Sequence, residues 1–75
     1  MPNLIVVNAT VNPTTGAAAS TSSEPAGLSA SAASTQALVT ALLTQASTVF
    51  NLDPTEWGAN PNQWTLETRI RSTPP

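Results

Sequence analysis

The chain contains no cysteine, no histidine and no tyrosine, and because both of its basic residues are arginines it has no lysine either. Each absence closes off a chemistry. Without cysteine, neither a disulfide framework nor a thiolate metal site can form. Without histidine, the commonest ligand for zinc, copper and iron is gone. These four residue types are also the usual proton carriers and nucleophiles of active sites. Four carboxylates remain: Glu24, Asp53, Glu56 and Glu67. A glycosidase-type acid pair is formally available from them, but 75 residues leave little room for a sugar cleft. A serine nucleophile would have neither histidine nor lysine as its base. Gly16, Gly27 and Gly58 are too dispersed for a phosphate loop, and the acids are too scattered for a calcium loop. The expectation is a protein that is not an enzyme and that uses no cofactor and no metal.

Charge is the next scarcity. Charged residues make up 8% of the chain, against about 25% in ordinary soluble proteins. Two arginines among four acids are too few to neutralise a phosphate backbone, so nucleic acid is not an expected partner. A surface this poor in charge is better suited to being covered than to being wet. The size points the same way. A chain of 75 residues buries a modest share of its surface, and small domains compensate with disulfides, metals or association. The first two are excluded here, which leaves association.

Much of what is present is small. Alanine, serine and threonine fill 32 of the 75 positions. Residues 3–11 are rich in Val and Ile and read as a strand that stops at Asn12-Pro13. Leu4 and Val6 alternate with Ile5 and Val7, so both faces are apolar. Such a strand belongs either in a core or in a partner's sheet, where main-chain bonds give affinity. Residues 14–33 read as a low-complexity linker or arm, broken by Gly16, Pro25 and Gly27. Residues 35–51 read as the central helix, capped by Ser34 or Thr35, with Leu38, Leu42, Ala46, Val49 and Phe50 on one face. Its other face is neutral, with hydroxyls and alanines where a wet helix usually carries Lys and Glu. Asp53-Pro54-Thr55-Glu56 reads as a short helical turn with its cap, and Asn60-Pro61-Asn62 as a turn. Residues 63–71 alternate cleanly as a strand: Trp64, Leu66, Thr68 and Ile70 on one side, Thr65, Glu67, Arg69 and Arg71 on the other.

The expected architecture is therefore a small α+β fold. It has an N-terminal strand or arm over 1–13, a linker over 14–33, and a helix–turn–strand body over 34–75. Leu4, Ile5, Val6, Val7, Trp57 and Trp64 are the candidate partner-binding residues. The tryptophans are chosen because tryptophan supplies both core bulk and interface hot spots.

This composition, poor in charge and rich in Ala, Ser and Thr, with an extended arm and no catalytic groups, resembles the small structural proteins of tailed-phage virions. The resemblance implies a capsid cement or decoration protein, or a minor head or tail component. It would be an oligomer bound to major capsid or other virion proteins, and assembled in the host cytoplasm without a signal peptide. Two alternatives compete. Residues 28–52 carry no charge and are long enough to cross a bilayer, which would suit a pore former or lysis factor. Against this stand Gln36, Gln45, Asn51 and the missing basic flank. The other alternative is an adaptor that binds one protein through Trp57 and Trp64.

Overall fold

The computed structural model describes residues 3–58 and 63–73. The expected turn at Asn60-Pro61-Asn62 lies outside them. In chain order the elements are β1 (Leu4–Val11), β2 (Ala18–Glu24), β3 (Ser31–Ala32), α1 (Thr35–Val49), a 3-10 turn (Pro54–Glu56) and β4 (Thr65–Ser72). The strands form one mixed sheet in the order β3-β2-β1-β4. The fold is small and α+β.

β1 lies inside this sheet, antiparallel to β2 and parallel to β4. Ile5, Val7 and Ala9 project to the face that carries the helix and are buried there. Leu4 and Val6 project to the other face, where Leu4 is exposed and Val6 half-buried. The two apolar faces of the strand thus have different fates. One is the core of this chain. The other opens onto the outer sheet surface, beside Glu24 and Glu67, which flank Val6 on the neighbouring strands.

Residues 14–33, expected to be a linker, instead complete the sheet. Asn12 closes the β1–β2 hairpin. Its side-chain Oδ1 accepts from the Thr14 and Thr15 amides at 2.8 and 3.3 Å. Its carbonyl accepts from Gly16 at 2.7 Å, and its amide donates to Ala17 at 2.8 Å. Gly16 has φ +82°, a conformation that favours glycine. β2 has little intrinsic strand propensity, but the β1 ladder imposes the extended form on it, with one register shift between Asn8 and Ala9.

Serine hydroxyls then hold the loop that leads from β2 to the helix. Ser23 Oγ donates to the Pro25 carbonyl at 2.9 Å and accepts from the Leu28 amide at 3.1 Å. Ser20 Oγ accepts from Ala30 at 2.9 Å, while the Ser20 amide donates to the Ala30 carbonyl at 2.8 Å. The Gln45 side chain on α1 clamps Ser29 reciprocally, accepting from its amide at 2.6 Å and donating to its carbonyl at 2.9 Å. These bonds seat Leu28 in the core.

Ser34 caps α1 by accepting from the Ala37 amide at 3.2 Å. Leu38, Leu42 and Ala46, each four residues apart, form its buried stripe. The helix is shorter than expected, because Asn51 takes φ +54° and the Leu52 amide reaches back to the Ser47 carbonyl at 3.1 Å. That is a Schellman closure, and Leu52 is buried beyond it. Val49, the last residue of the helix, is exposed, although its spacing placed it on the buried stripe. Leu43, expected off the stripe, packs partly against the core. Among the described residues no helix is long and apolar enough to cross a membrane.

The Ser23 bonds generate a contrast that urea unfolding, followed by tryptophan fluorescence, can read. Ser23→Ala leaves the Leu28 amide without its partner and costs about 1–3 kcal/mol. Ser22→Ala removes only an exposed side-chain bond to Asn8 and stays within about 0.5 kcal/mol of wild type.

Candidate functional site

The six candidate residues do not form one site. Ile5 and Val7 have no exposed surface, and both edges of β1 are paired within the chain, so this strand is not free to join another sheet. Leu4 is 55% exposed on the outer face. The tryptophans lie together at the start of β4. Their ring centroids are 6.1 Å apart at an interplanar angle of 26°.

Two backbone bonds bring them together. The Trp64 amide donates to the Glu56 carbonyl at 3.3 Å, and the Gly58 amide donates to the Trp64 carbonyl at 3.1 Å. Residues 56–58 thereby run beside the first residue of β4 as a one-bridge parallel strand. Trp64 is buried, and its indole N–H donates to the Asp53 carbonyl at 2.8 Å, so burial strands no polar atom. Trp57 lies over it and is 43% exposed. Asp53 fixes the 3-10 turn that aims Trp57. Its Oδ1 accepts from the Thr55 amide at 2.9 Å and from the Thr55 hydroxyl at 2.8 Å. Both bonds favour the ionised carboxylate, the backbone bond more, and hold its pKa below the ordinary value.

Between this turn and α1 runs an open groove of about 280 Å³ lined by Thr40, Leu43, Thr44, Ser47, Thr48, Pro54, Trp57 and Trp64. None of these side chains is charged. Sequence reasoning singled out the tryptophans but did not place the helix hydroxyls beside them. The hydroxyls share one disposition. Thr40 donates to the Gln36 carbonyl at 3.1 Å, Thr44 to Thr40 at 3.1 Å, Ser47 to Leu43 at 3.0 Å and Thr48 to Thr44 at 3.3 Å. Every hydroxyl proton on this wall is taken by the helix's own backbone. The wall therefore offers no free hydroxyl donor to the groove. Such a wall can be dehydrated at lower cost than one of free hydroxyls, because no donor is stranded.

The opposite face of the sheet is polar. Glu67, Arg69 and Arg71 line up along β4, and Asn8 and Ser22 lie beside them in the ladder. Arg69 pairs with Glu67 at 3.3 Å, both side chains being largely in solvent, so the pair contributes little to stability. The described residues hold no acidic cluster of metal-site size.

The Asp53 cap makes stability depend on pH. Its pKa is lower folded than unfolded, so its contribution is complete above the unfolded value near 3.8 and is lost as pH falls through the folded value. Asp53→Asn keeps a capping acceptor without a titration. The melting temperature of wild type therefore falls more steeply than that of Asp53→Asn on acidification below about pH 4, while the two variants run parallel near neutrality.

No protein-family model matches the chain, and neither a curated protein nor a solved structure matches it.

Proposed function

We propose that this protein is a non-enzymatic structural subunit that works by packing against neighbouring proteins in a larger assembly, a tailed-phage virion being the setting that its composition fits best. In that setting it acts as a capsid cement or decoration protein, or as a minor head or tail component. The groove between α1 and the tryptophan pair carries the reading. It is uncharged, its wall hydroxyls are satisfied by the helix itself, and a large aromatic ring stands half exposed at its rim. This is the chemistry of a protein contact: an apolar centre around an aromatic anchor, with small side chains that let another backbone come close.

The scarcity of charge supports the same conclusion. The six charged side chains are placed on the outer sheet face, the 3-10 turn and its cap. The exposed face of α1 has none, so a neighbour that covers it desolvates no ion. The partner expected there presents a neutral, largely apolar segment, with any polar group offering a donor to the hydroxyl lone pairs.

Thr44→Arg tests the reading. The substitution sits on the exposed helix face, and arginine has the better helix propensity, so the variant folds. Extracts of the source are fractionated on a density gradient and the fractions are identified by mass spectrometry. Wild type is expected in a high-mass particle at fixed ratio to another protein, and Thr44→Arg is expected to be displaced to the low-mass fractions. Wild type confined to the low-mass fractions, or Thr44→Arg incorporated normally, overturns the proposal.

A further inference from the structure

The two edges of the sheet are unequal. On one side β3, two residues long, covers only Ala18 and Ala19 of β2, and the rest of β2 is broken by the register shift and tied at Ser20 to the Ala30 loop, so that side offers no long regular edge. The other edge is β4, eight residues without a bulge or an internal proline. On β4 the Thr65 and Thr73 amides donate to the Asn3 and Val11 carbonyls of the β1 side. Backbone direction alternates along a strand. Glu67, Arg69 and Arg71 therefore also turn their N–H and C=O groups toward β1, and Trp64, Leu66, Thr68, Ile70 and Ser72 turn theirs away. At Trp64 the outward groups are taken by Glu56 and Gly58. From Leu66 to Ser72 these outward groups have no backbone partner among the described residues. The open edge thus has defined ends: the Trp57 segment at one, and Ser72, the last residue of β4, at the other.

We infer that this edge pairs with the same edge of a second copy of the chain, antiparallel, about a two-fold axis passing at Arg69. In this register Leu66 pairs with Ser72 of the second copy and Thr68 with its Ile70. Every outward N–H and C=O from Leu66 to Ser72 is then matched. Glu67 falls opposite Arg71 of the second copy, twice by symmetry, at the closely spaced, non-hydrogen-bonded positions where opposite charges attract best. Among the described residues Arg71 makes no ion pair. On the core-facing side Leu66 and Ile70, both only partly buried, stand directly opposite Ser72 and Thr68 of the second copy, and Leu66 is the diagonal neighbour of its Ile70, so the apolar contact across the junction is diagonal. The α1 helix packs closest to β2 and β3, which leaves that row room for a neighbour.

Sliding the axis to Thr68 would oppose Glu67 and Arg69 but would drive Ser72 of each copy into the Trp57–Gly58 segment beside Trp64. Sliding it to Ile70 would oppose Arg69 and Arg71. The Arg69-centred register avoids both. Its one unfavourable contact is Arg69 facing Arg69, each tempered by its own Glu67 at 3.3 Å.

The dimer goes beyond the proposed function and does not depend on it. Sedimentation equilibrium of the full chain tests it. Wild type is expected to dimerise. Glu67→Arg and Arg71→Glu, both at solvent-facing positions, are each expected to weaken the dimer by about tenfold or more. The two substitutions in one chain restore it. Arg69→Gln tightens it by removing the facing cations. Thr68→Pro removes an outward N–H without touching the β1 ladder and yields a folded monomer by circular dichroism. Wild type that stays monomeric at every concentration, or a double substitution that fails to restore association, overturns the inference. A monomer that still enters a particle overturns the dimer alone, and a dimer confined to low-mass fractions overturns the particle reading alone.

Discussion

β1 is the member on which the other elements depend. It pairs antiparallel with β2 on one side and parallel with β4 on the other, and it contributes Ile5 and Val7 to the set of fully buried side chains. Neither neighbour could hold its conformation alone. β2 is built of alanine, serine and threonine, and β4 is joined to β1 only after the chain has passed through the helix. The two ladders fix the plane onto which α1 lays Leu38, Leu42 and Ala46. Full burial of aliphatic side chains stabilises by about 1.5–3 kcal/mol each, so a handful of residues carries most of the hydrophobic term. In a domain this small there is no second core to compensate for their loss.

The hydroxyl side chains do the remaining organisation in two ways. Within and after β2 they bind the backbone of the loop, as Ser20 and Ser23 do, and so replace ladder bonds that an irregular segment cannot make. On α1 they bind the carbonyl one turn back, which consumes their donors and leaves a nearly inert wall. The same composition thus yields a pinned loop and a surface that is easily dehydrated. The low charge follows a consistent logic, since neither role needs an ion.

Where sequence reasoning succeeded, the periodicity was strong and local. The alternation from Trp64 to Arg71, the four-residue spacing of Leu38, Leu42 and Ala46, and the Asp53-Pro54 start all correspond to observed elements. The failure was β2. Its residues have weak strand propensity, and the pairing that makes them a strand lies in β1, about a dozen positions upstream. A local signal was nonetheless present. Asn12 followed by Gly16 is a hairpin closure, with an Asx-type turn and a left-handed glycine, between a Val-rich run and the residues that pair with it. With the hairpin recognised, β1 becomes an internal strand and its apolar faces need no foreign sheet. The groove was less legible still. The tryptophans could be named, but their stacking depends on the bridge between residues 57 and 64, which no spacing rule encodes.

That bridge links the groove and the open edge of β4, the two surfaces on which the proposals rest. Residues 56–58 form one wall of the groove through Trp57 and also occupy the outward bonds of Trp64, which sets where the open edge of β4 begins. The stack of Trp57 on Trp64, the Asp53 cap, the bridge to Trp64 and the packing of the 3-10 turn on α1 hold this short segment in place. A partner that grips Trp57 therefore also grips the stop that fixes the β4 register. Pulling the segment away would lengthen the open edge by one residue pair and remove the obstacle that disfavours the Thr68-centred alignment. The proposed groove contact and the proposed edge pairing would be coupled through one short stretch of backbone, and the sign of that coupling follows from the geometry. A partner that presses Trp57 onto Trp64 reinforces the Arg69-centred register, and one that draws it outward weakens it.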